Sequence, residues 1–309
     1  MSKYVIGVDV GGTNVKLGVL NPSGKVLSRS SFSTKTFIKS SDSLIDAVCE
    51  AVLALAGKEG LLKRDIAGVG IGLPGLIDVD KGVVRVLPNI PGWSDVPLKR
   101  IMEKKLDLLV QLENDVNMIT LGEWEYGAGK GIENLICMTL GTGVGAGLIL
   151  NNEIYRGTGF AAGEIGHMPL NEEGPECTCG GWGCFERYVG NKRLQKEAAK
   201  IFGKNDISLE DVYRRAVEGK KKALKFWEMV GEKVGNGLVG PVNILNPECV
   251  IIGGGVSRSL EFMKSAIEGV IKRRCMKTQA EMVRVIKARL DDDAGIVGAE
   301  VLIRHEKKN

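Results

Sequence analysis

"VIGVDVGGTNVKLGVL" spans residues 5–20, and "LICMTLGTGVGAGLIL" spans residues 135–150. The two align without gaps, although few positions are identical. Each reads as an apolar strand, a tight turn of Gly and Thr, and a second apolar strand. Taken as a repeat, they describe two lobes that open on the same hairpin, with both turns directed into one cleft. Taken separately, they are only two glycine-containing hairpins. The first reading gives a two-lobed fold with internal symmetry, and the second gives none.

The surrounding pattern is that of an α/β protein. A third short strand follows the first hairpin, and helical spacing covers 42–57 through Leu44, Ile45, Val48, Val52 and Leu55. "IAGVGIGLPG" is a buried strand running into a turn. "LLVQLEND" is another, followed by a helix near 115–126. Beyond the second hairpin, 191–246 is helical, "CVIIGGGV" is a strand entering a glycine turn, and "VRVIKARL" is a last strand. A last helix covers 294–305. A chain of 309 residues exceeds what one core usually holds, which again points to two lobes.

Composition excludes several classes. The net charge of +4 is small and its Lys and Arg residues are scattered, so no nucleic-acid partner is expected. No apolar run is long enough to span a bilayer, so no membrane role is expected. "MSKYVIGVDVGG" does not read as an export signal, which gives the expectation of a reducing, cytoplasmic location. "GIGLPG" (70–75) and "GTGVGA" (141–146) fit dinucleotide fingerprints, yet each runs on into a turn or strand pattern rather than a helix.

Chemistry concentrates in four places. Gly11-Gly12-Thr13 and Gly141-Thr142-Gly143 expose consecutive backbone N–H groups, a setting for phosphate oxygens. Asp9 precedes the first turn within an apolar strand; it suits Mg²⁺, or else a local polar partner. Asn114 and Asp115 stand at the end of a strand and the start of a helix. Asp115 reads as a general base for a hydroxyl attacking phosphorus, or simply as the helix N-cap. Cys177, Cys179 and Cys184 lie within eight residues, and His167, one of two histidines, precedes them by ten. Three thiols and an imidazole fit a closed, structural zinc site; the alternative is reduced thiols beside an ordinary core histidine. Such a site would fasten a loop flanked by Glu164 and Glu186, placing carboxylates to grip hydroxyl groups. Cys49, Cys137, Cys249 and Cys275 stand singly in apolar surroundings as core residues.

Together these segments resemble the ROK family (repressors, open reading frames, kinases). "DVGGTNVKLGV" resembles its first phosphate motif, "LENDVN" its catalytic segment and "GTGVGAGLI" its second phosphate motif. "GEIGHMPL…CTCGGWGCFE" resembles its signature with the zinc loop, "IIGGGV" its adenosine motif and "DDDAGIVGA" its closing helix. The resemblance covers essentially the whole chain. It implies an actin-like ATPase fold of two ribonuclease-H-like lobes with a cleft between them. The expected division is a small lobe at 1–118, with helix 294–309 packing back on it, and a large lobe at 119–293 that includes zinc loop 163–187.

The resemblance also implies roles. ATP and Mg²⁺ would meet Asp9, Gly11, Gly12, Thr13, Asn14, Lys16, Gly141, Thr142 and Gly143, with Gly254 and Gly255 near the nucleoside. Asp115 would be the base. Asn89, Asn114, Asp115, Glu164, His167 and Glu186 would contact a hexose phosphorylated on its 6-hydroxyl, and His167 would also ligate zinc with Cys177, Cys179 and Cys184. Asn89 stands in "LPNIPGW", which resembles the glucokinase version of that loop and favours glucose. Kinases for N-acetylmannosamine, N-acetylglucosamine, fructose, mannose or allose are the alternatives, as is a non-catalytic sugar sensor. A sugar-responsive repressor would need a DNA-binding segment ahead of the first strand, and the strand begins at Lys3 or Tyr4. A homodimer or homotetramer is implied.

Overall fold

A computed structural model describes residues 3–37, 40–87 and 92–306. The chain forms two compact units, the first from 1–131, 154–162 and 289–309, the second from 132–153 and 163–288. The boundary expected at 118 falls inside a helix that stays whole in the first unit. The expected division also gave 154–162 to the large lobe, whereas it belongs to the first unit.

The first unit begins with β1 (Tyr4–Val10), β2 (Asn14–Leu20) and β3 (Val26–Ser33), then α1 (Ser41–Lys58) and β4 (Ile66–Leu73). Three short strands follow, β5 (Leu76–Asp78), β6 (Val83–Val86) and β7 (Ser94–Val96), and pair as their own small sheet. Then come α2 (Leu98–Leu106), β8 (Val110–Asn114) and α3 (Asp115–Glu125). The main sheet has the order β3-β2-β1-β4-β8. Strands β1, β2 and β3 are antiparallel neighbours, while β1, β4 and β8 run parallel. Alternation along β1 sends Ile6, Val8 and Val10 into a core with Leu44, Val48 and Val52 of α1.

The second unit opens with β9 (Leu135–Leu140) and β10 (Val144–Leu150), and then β11 (Glu153–Ile154), whose last residue already belongs to the first unit. Helices α4 (Glu186–Val189), α5 (Asn191–Phe202), α6 (Leu209–Val217) and α7 (Lys221–Leu245) follow, then β12 (Cys249–Gly253), α8 (Leu260–Arg274), α9 (Lys277–Met282) and β13 (Arg284–Lys287). Its sheet has the order β11-β10-β9-β12-β13, the same order as the first sheet counted along the chain. Strands β9 and β10 are antiparallel, and β9, β12 and β13 are parallel. The core holds Phe185, Phe226 and Trp227 against Val230 and Val234 of α7.

The repeat is therefore structural, with one amendment. Val10 pairs with Val15 across the first turn, but Leu140 pairs with Val144 across the second. The second turn is one residue shorter. Val15, Leu17 and Val19 face one core, and Val144, Ala146 and Leu148 face the other. The gapless alignment thus holds for the first strands and slips by one in the second, because a one-residue shift would turn every side chain to the wrong face.

The chain ends in α10 (Ala294–Glu306), which covers the other face of the first sheet with Ile296, Ala299 and Ile303 against Val5 and Met118. Glycines make this possible. A Cβ on Gly7 of β1 would lie 2.4 Å from the Ile296 carbonyl oxygen, and one on Gly298 would lie 1.9 Å from that of Met118 in α3. Several glycines of this chain thus serve inside strands and helices, where backbones touch, and not only in turns.

Candidate functional site

The cysteine-rich loop of the second unit brings four donors together. The ligand atoms of His167, Cys177, Cys179 and Cys184 all lie within 4.8 Å of one another. His167 Nδ1 is 3.6 Å from Cys177 Sγ, and the sulfurs of Cys179 and Cys184 are 3.6 Å apart. A disulfide needs about 2.05 Å, so these are thiols. Zn–S bonds of about 2.3 Å in a tetrahedron would separate two sulfurs by about 3.8 Å, close to what is seen.

Local backbone explains the cluster. Gly180 N–H donates to Cys177 O at 3.0 Å, closing a turn, and Cys177 N–H donates to Gly181 O at 2.8 Å. Gly183 has φ +61, and a Cβ there would stand 1.7 Å from Asn171 O, so only glycine closes this turn. Burial, together with the thiols of Cys179 and Cys177, pushes the Cys184 thiol up to about 12, while the Gly181 N–H lowers that of Cys179. The donor set fits zinc in chemistry and spacing. With Nδ1 facing the sulfurs, Nε2 of His167 faces Glu164 Oε2 at 3.9 Å.

Glu186, the first residue of α4, accepts from the Val144 N–H at 2.9 Å. It thereby grips the strand leaving the second Gly/Thr turn. Asn191 N–H donates to Gly141 O at 2.9 Å, so this turn is held from the start of α5 as well. Gly254 (φ +80) presses against β9, where a Cβ would meet Leu140 O at 2.4 Å; Gly255 opens onto free space. The "GTGVGA" stretch leads into strand β10, and "GIGLPG" leads into β5, so neither begins a helix.

In the first unit, the Gly11-Gly12-Thr13 turn is closed by Gly11 N–H donating to Asn14 O at 2.9 Å. The buried Thr34 hydroxyl donates to Gly11 O at 2.7 Å, an anchor that the sequence pattern did not announce. Asp9 pairs across the sheet with Lys16, which forms an ion pair with Asp292 at 3.0 Å. A Cβ on Gly295 would come 3.2 Å from Asp9 Cγ, which puts the carboxyl at the first turn of α10. Burial raises the Asp9 pKa, Lys16 opposes this, and Asp292 adds to it.

Asn114, and not Asp115, caps α3: its side chain accepts from the N–H groups of Val116 and Asn117. Its amide also donates to Gly75 O at 3.2 Å. Asp115 is the first helical residue, half-buried, with Oδ1 accepting from the Val116 N–H at 2.9 Å. Glu113 beside them is 1% exposed and paired with Arg156, a partnership across 43 positions that no local pattern signals. Because β1, β4 and β8 are parallel, the Gly11 turn and Asp115 lie at the same end of one sheet, one strand apart. Asn89 lies outside the described residues.

Residues 5–306 match the ROK family. The chain is 32% identical to the glucokinase of Thermotoga maritima, over 97% of both proteins. It is 30% identical to the xylose repressor of Caldicellulosiruptor bescii, over 97% of this chain and 77% of that one. Its fold matches the crystal structure of a ROK family glucokinase from Streptomyces griseus in complex with glucose and AMPPNP, with a TM-score of 0.81, 32% identity, and coverage of 98% and 99%. The fold is thus the actin-like ATPase fold, and the chain belongs to the ROK family.

Proposed function

We propose that the protein transfers the γ-phosphoryl group of ATP to the 6-hydroxyl of a hexose, with glucose the favoured substrate. One observation carries the reading: the phosphate-type turn and Asp115 share the end of one sheet, one strand apart. The likeness to proteins named glucokinase over 97% of both chains supports it.

In this reading the N–H groups around Gly11, Gly12, Thr13 and Asn14, and around Gly141, Thr142 and Gly143, hold phosphate oxygens. Gly254 and Gly255 leave room for the nucleoside. Lys16 exchanges its partner Asp292 for phosphate charge. Asp9 would hold Mg²⁺, which supplies charge neutralisation on the phosphates. His167, Cys177, Cys179 and Cys184 would hold Zn²⁺, which supplies rigidity to the loop. Glu164, Glu186, His167 Nε2, Asn114 and Asn89 orient the sugar hydroxyls. Asp115 accepts the proton of the 6-hydroxyl as its oxygen attacks the γ-phosphorus in line with the departing ADP.

The test is a coupled ADP-release assay with Mg-ATP across glucose, mannose, fructose, allose, glucosamine, N-acetylglucosamine and N-acetylmannosamine. The expected outcome is a preference for glucose. Asp115→Asn should lower turnover by at least about 10²- to 10⁴-fold while sugar binding persists. Wild-type turnover in that variant would remove Asp115 from its role. Sugar binding without turnover on any member of the panel would turn the reading toward a sensor.

A further inference from the structure

Glu113 lies directly before the cap of α3, and both of its carboxylate oxygens are engaged. Oε1 accepts from the Asn114 N–H and from the Asn117 side-chain amide, each at 3.0 Å. Oε2 accepts from Arg156 Nε at 2.7 Å and lies 2.7 Å from Arg156 Nη2 in an ion pair. Asn114 in turn accepts from Val116 and Asn117. The residues on both sides of Asp115 (113, 114, 116 and 117) are therefore tied into one hydrogen-bonded cage.

Arg156 reaches this cage from an unusual place. It belongs to 154–162, a short excursion whose flanking chain on both sides belongs to the second unit. The excursion is closed on itself by Ala162 N–H donating to Arg156 O at 3.0 Å. Glu113 accounts for why an arginine is needed here. A carboxylate this deeply buried is costly without a cation, and a planar fork sets two nitrogens against one oxygen where an ammonium would not hold the same orientation.

We propose that Glu113 and Arg156 form a positioning pair that fixes the direction of the Asp115 side chain, while neither touches the sugar or the nucleotide. The inference rests on the reading of Asp115 as the base. A base acts only within narrow limits of distance and angle, so the residues that lock its backbone govern rate more than affinity.

The experiment compares Asp115→Asn, Arg156→Lys and the double variant Glu113→Gln/Arg156→Met. Each is measured for melting temperature, sugar affinity by intrinsic fluorescence, and kcat and KM on the best sugar of the panel. Arg156→Lys keeps the charge and should fold. Its kcat is expected to fall about 10- to 100-fold, with sugar affinity changed no more than about twofold. The double variant removes the charge imbalance and should also fold, yet its kcat should stay low. Wild-type kcat in either variant overturns the proposal, because the pair would then serve only charge balance or folding. A loss confined to sugar affinity also overturns it. An inactive Asp115→Asn beside a fully active Arg156→Lys defeats this inference alone, whereas an active Asp115→Asn defeats the reading on which it rests.

Discussion

Asp9 answers to two opposed demands. Its carboxyl sits against the start of α10 in a place where burial raises its pKa. A carboxylate with a raised folded-state pKa adds stability at low pH and loses it as pH rises through that pKa. Well above the ordinary carboxylate range, at neutral pH, the group therefore costs the metal-free protein stability. Asp9→Asn should melt at a higher temperature than wild type without Mg²⁺ at pH 7, and the gap should shrink toward pH 4 on differential scanning calorimetry. The same variant should lose most Mg-ATP turnover. The four donors proposed for zinc make the converse case. Removing zinc with a strong chelator should raise hydrogen exchange across 163–187 and weaken sugar binding on titration calorimetry, because metal affinity and loop order are linked. Unchanged exchange would show that the loop is held by its backbone bonds alone. The four donors were legible in the sequence because they fall within eighteen positions. Glu113 and Arg156 were not, since nothing local distinguishes a glutamate in a buried strand that has found a distant arginine from one that has not.

At the level of elements, the glycines carry the largest wager. Gly298→Ala would drive a Cβ into the Met118 carbonyl, which α3 cannot withdraw without moving along its length. Overpacking of this kind costs about 1–3 kcal/mol, and backbone against backbone belongs at the upper end. Urea denaturation should show the loss, and Gly12→Ala, whose Cβ would meet nothing within 4 Å, is the comparison that should leave stability nearly unchanged. The strands and long helices were legible from their periodicity, as were both hairpins. The one-residue slip between β2 and β10 was not, because valines, leucines and glycines look alike in either register until a core fixes which face is buried. The small sheet of β5, β6 and β7 escaped for another reason: strands of three or four residues are too short for alternation to register.

Over the whole molecule, a ligand that binds only the folded state stabilises by mass action, about 2.7 kcal/mol at a hundredfold excess over Kd. Thermal melts with each sugar of the panel should therefore rank the sugars by affinity, independently of turnover. The substrate should give the largest upward shift. A fragment of residues 1–131 should fail to fold, because it lacks α10 and leaves the glycine-lined face of the first sheet bare. Circular dichroism of the fragment against the intact chain would check this. No described helix is long and apolar enough to cross a membrane.

The interleaving of segments has one more consequence. The chain passes from one unit to the other at 131, 153, 162 and 288, four times in all, so its two ends return to the same body. No single proteolytic cut can release either unit intact. A nick at 131 or 288 leaves two polypeptides whose parts are woven through a common core, and they should migrate together on a native gel and separate only in detergent. By contrast, a chain of 132–288 with 154–162 replaced by a short linker would hold the whole second unit in one continuous run. Dissecting this protein is thus a matter of rejoining ends rather than trimming them.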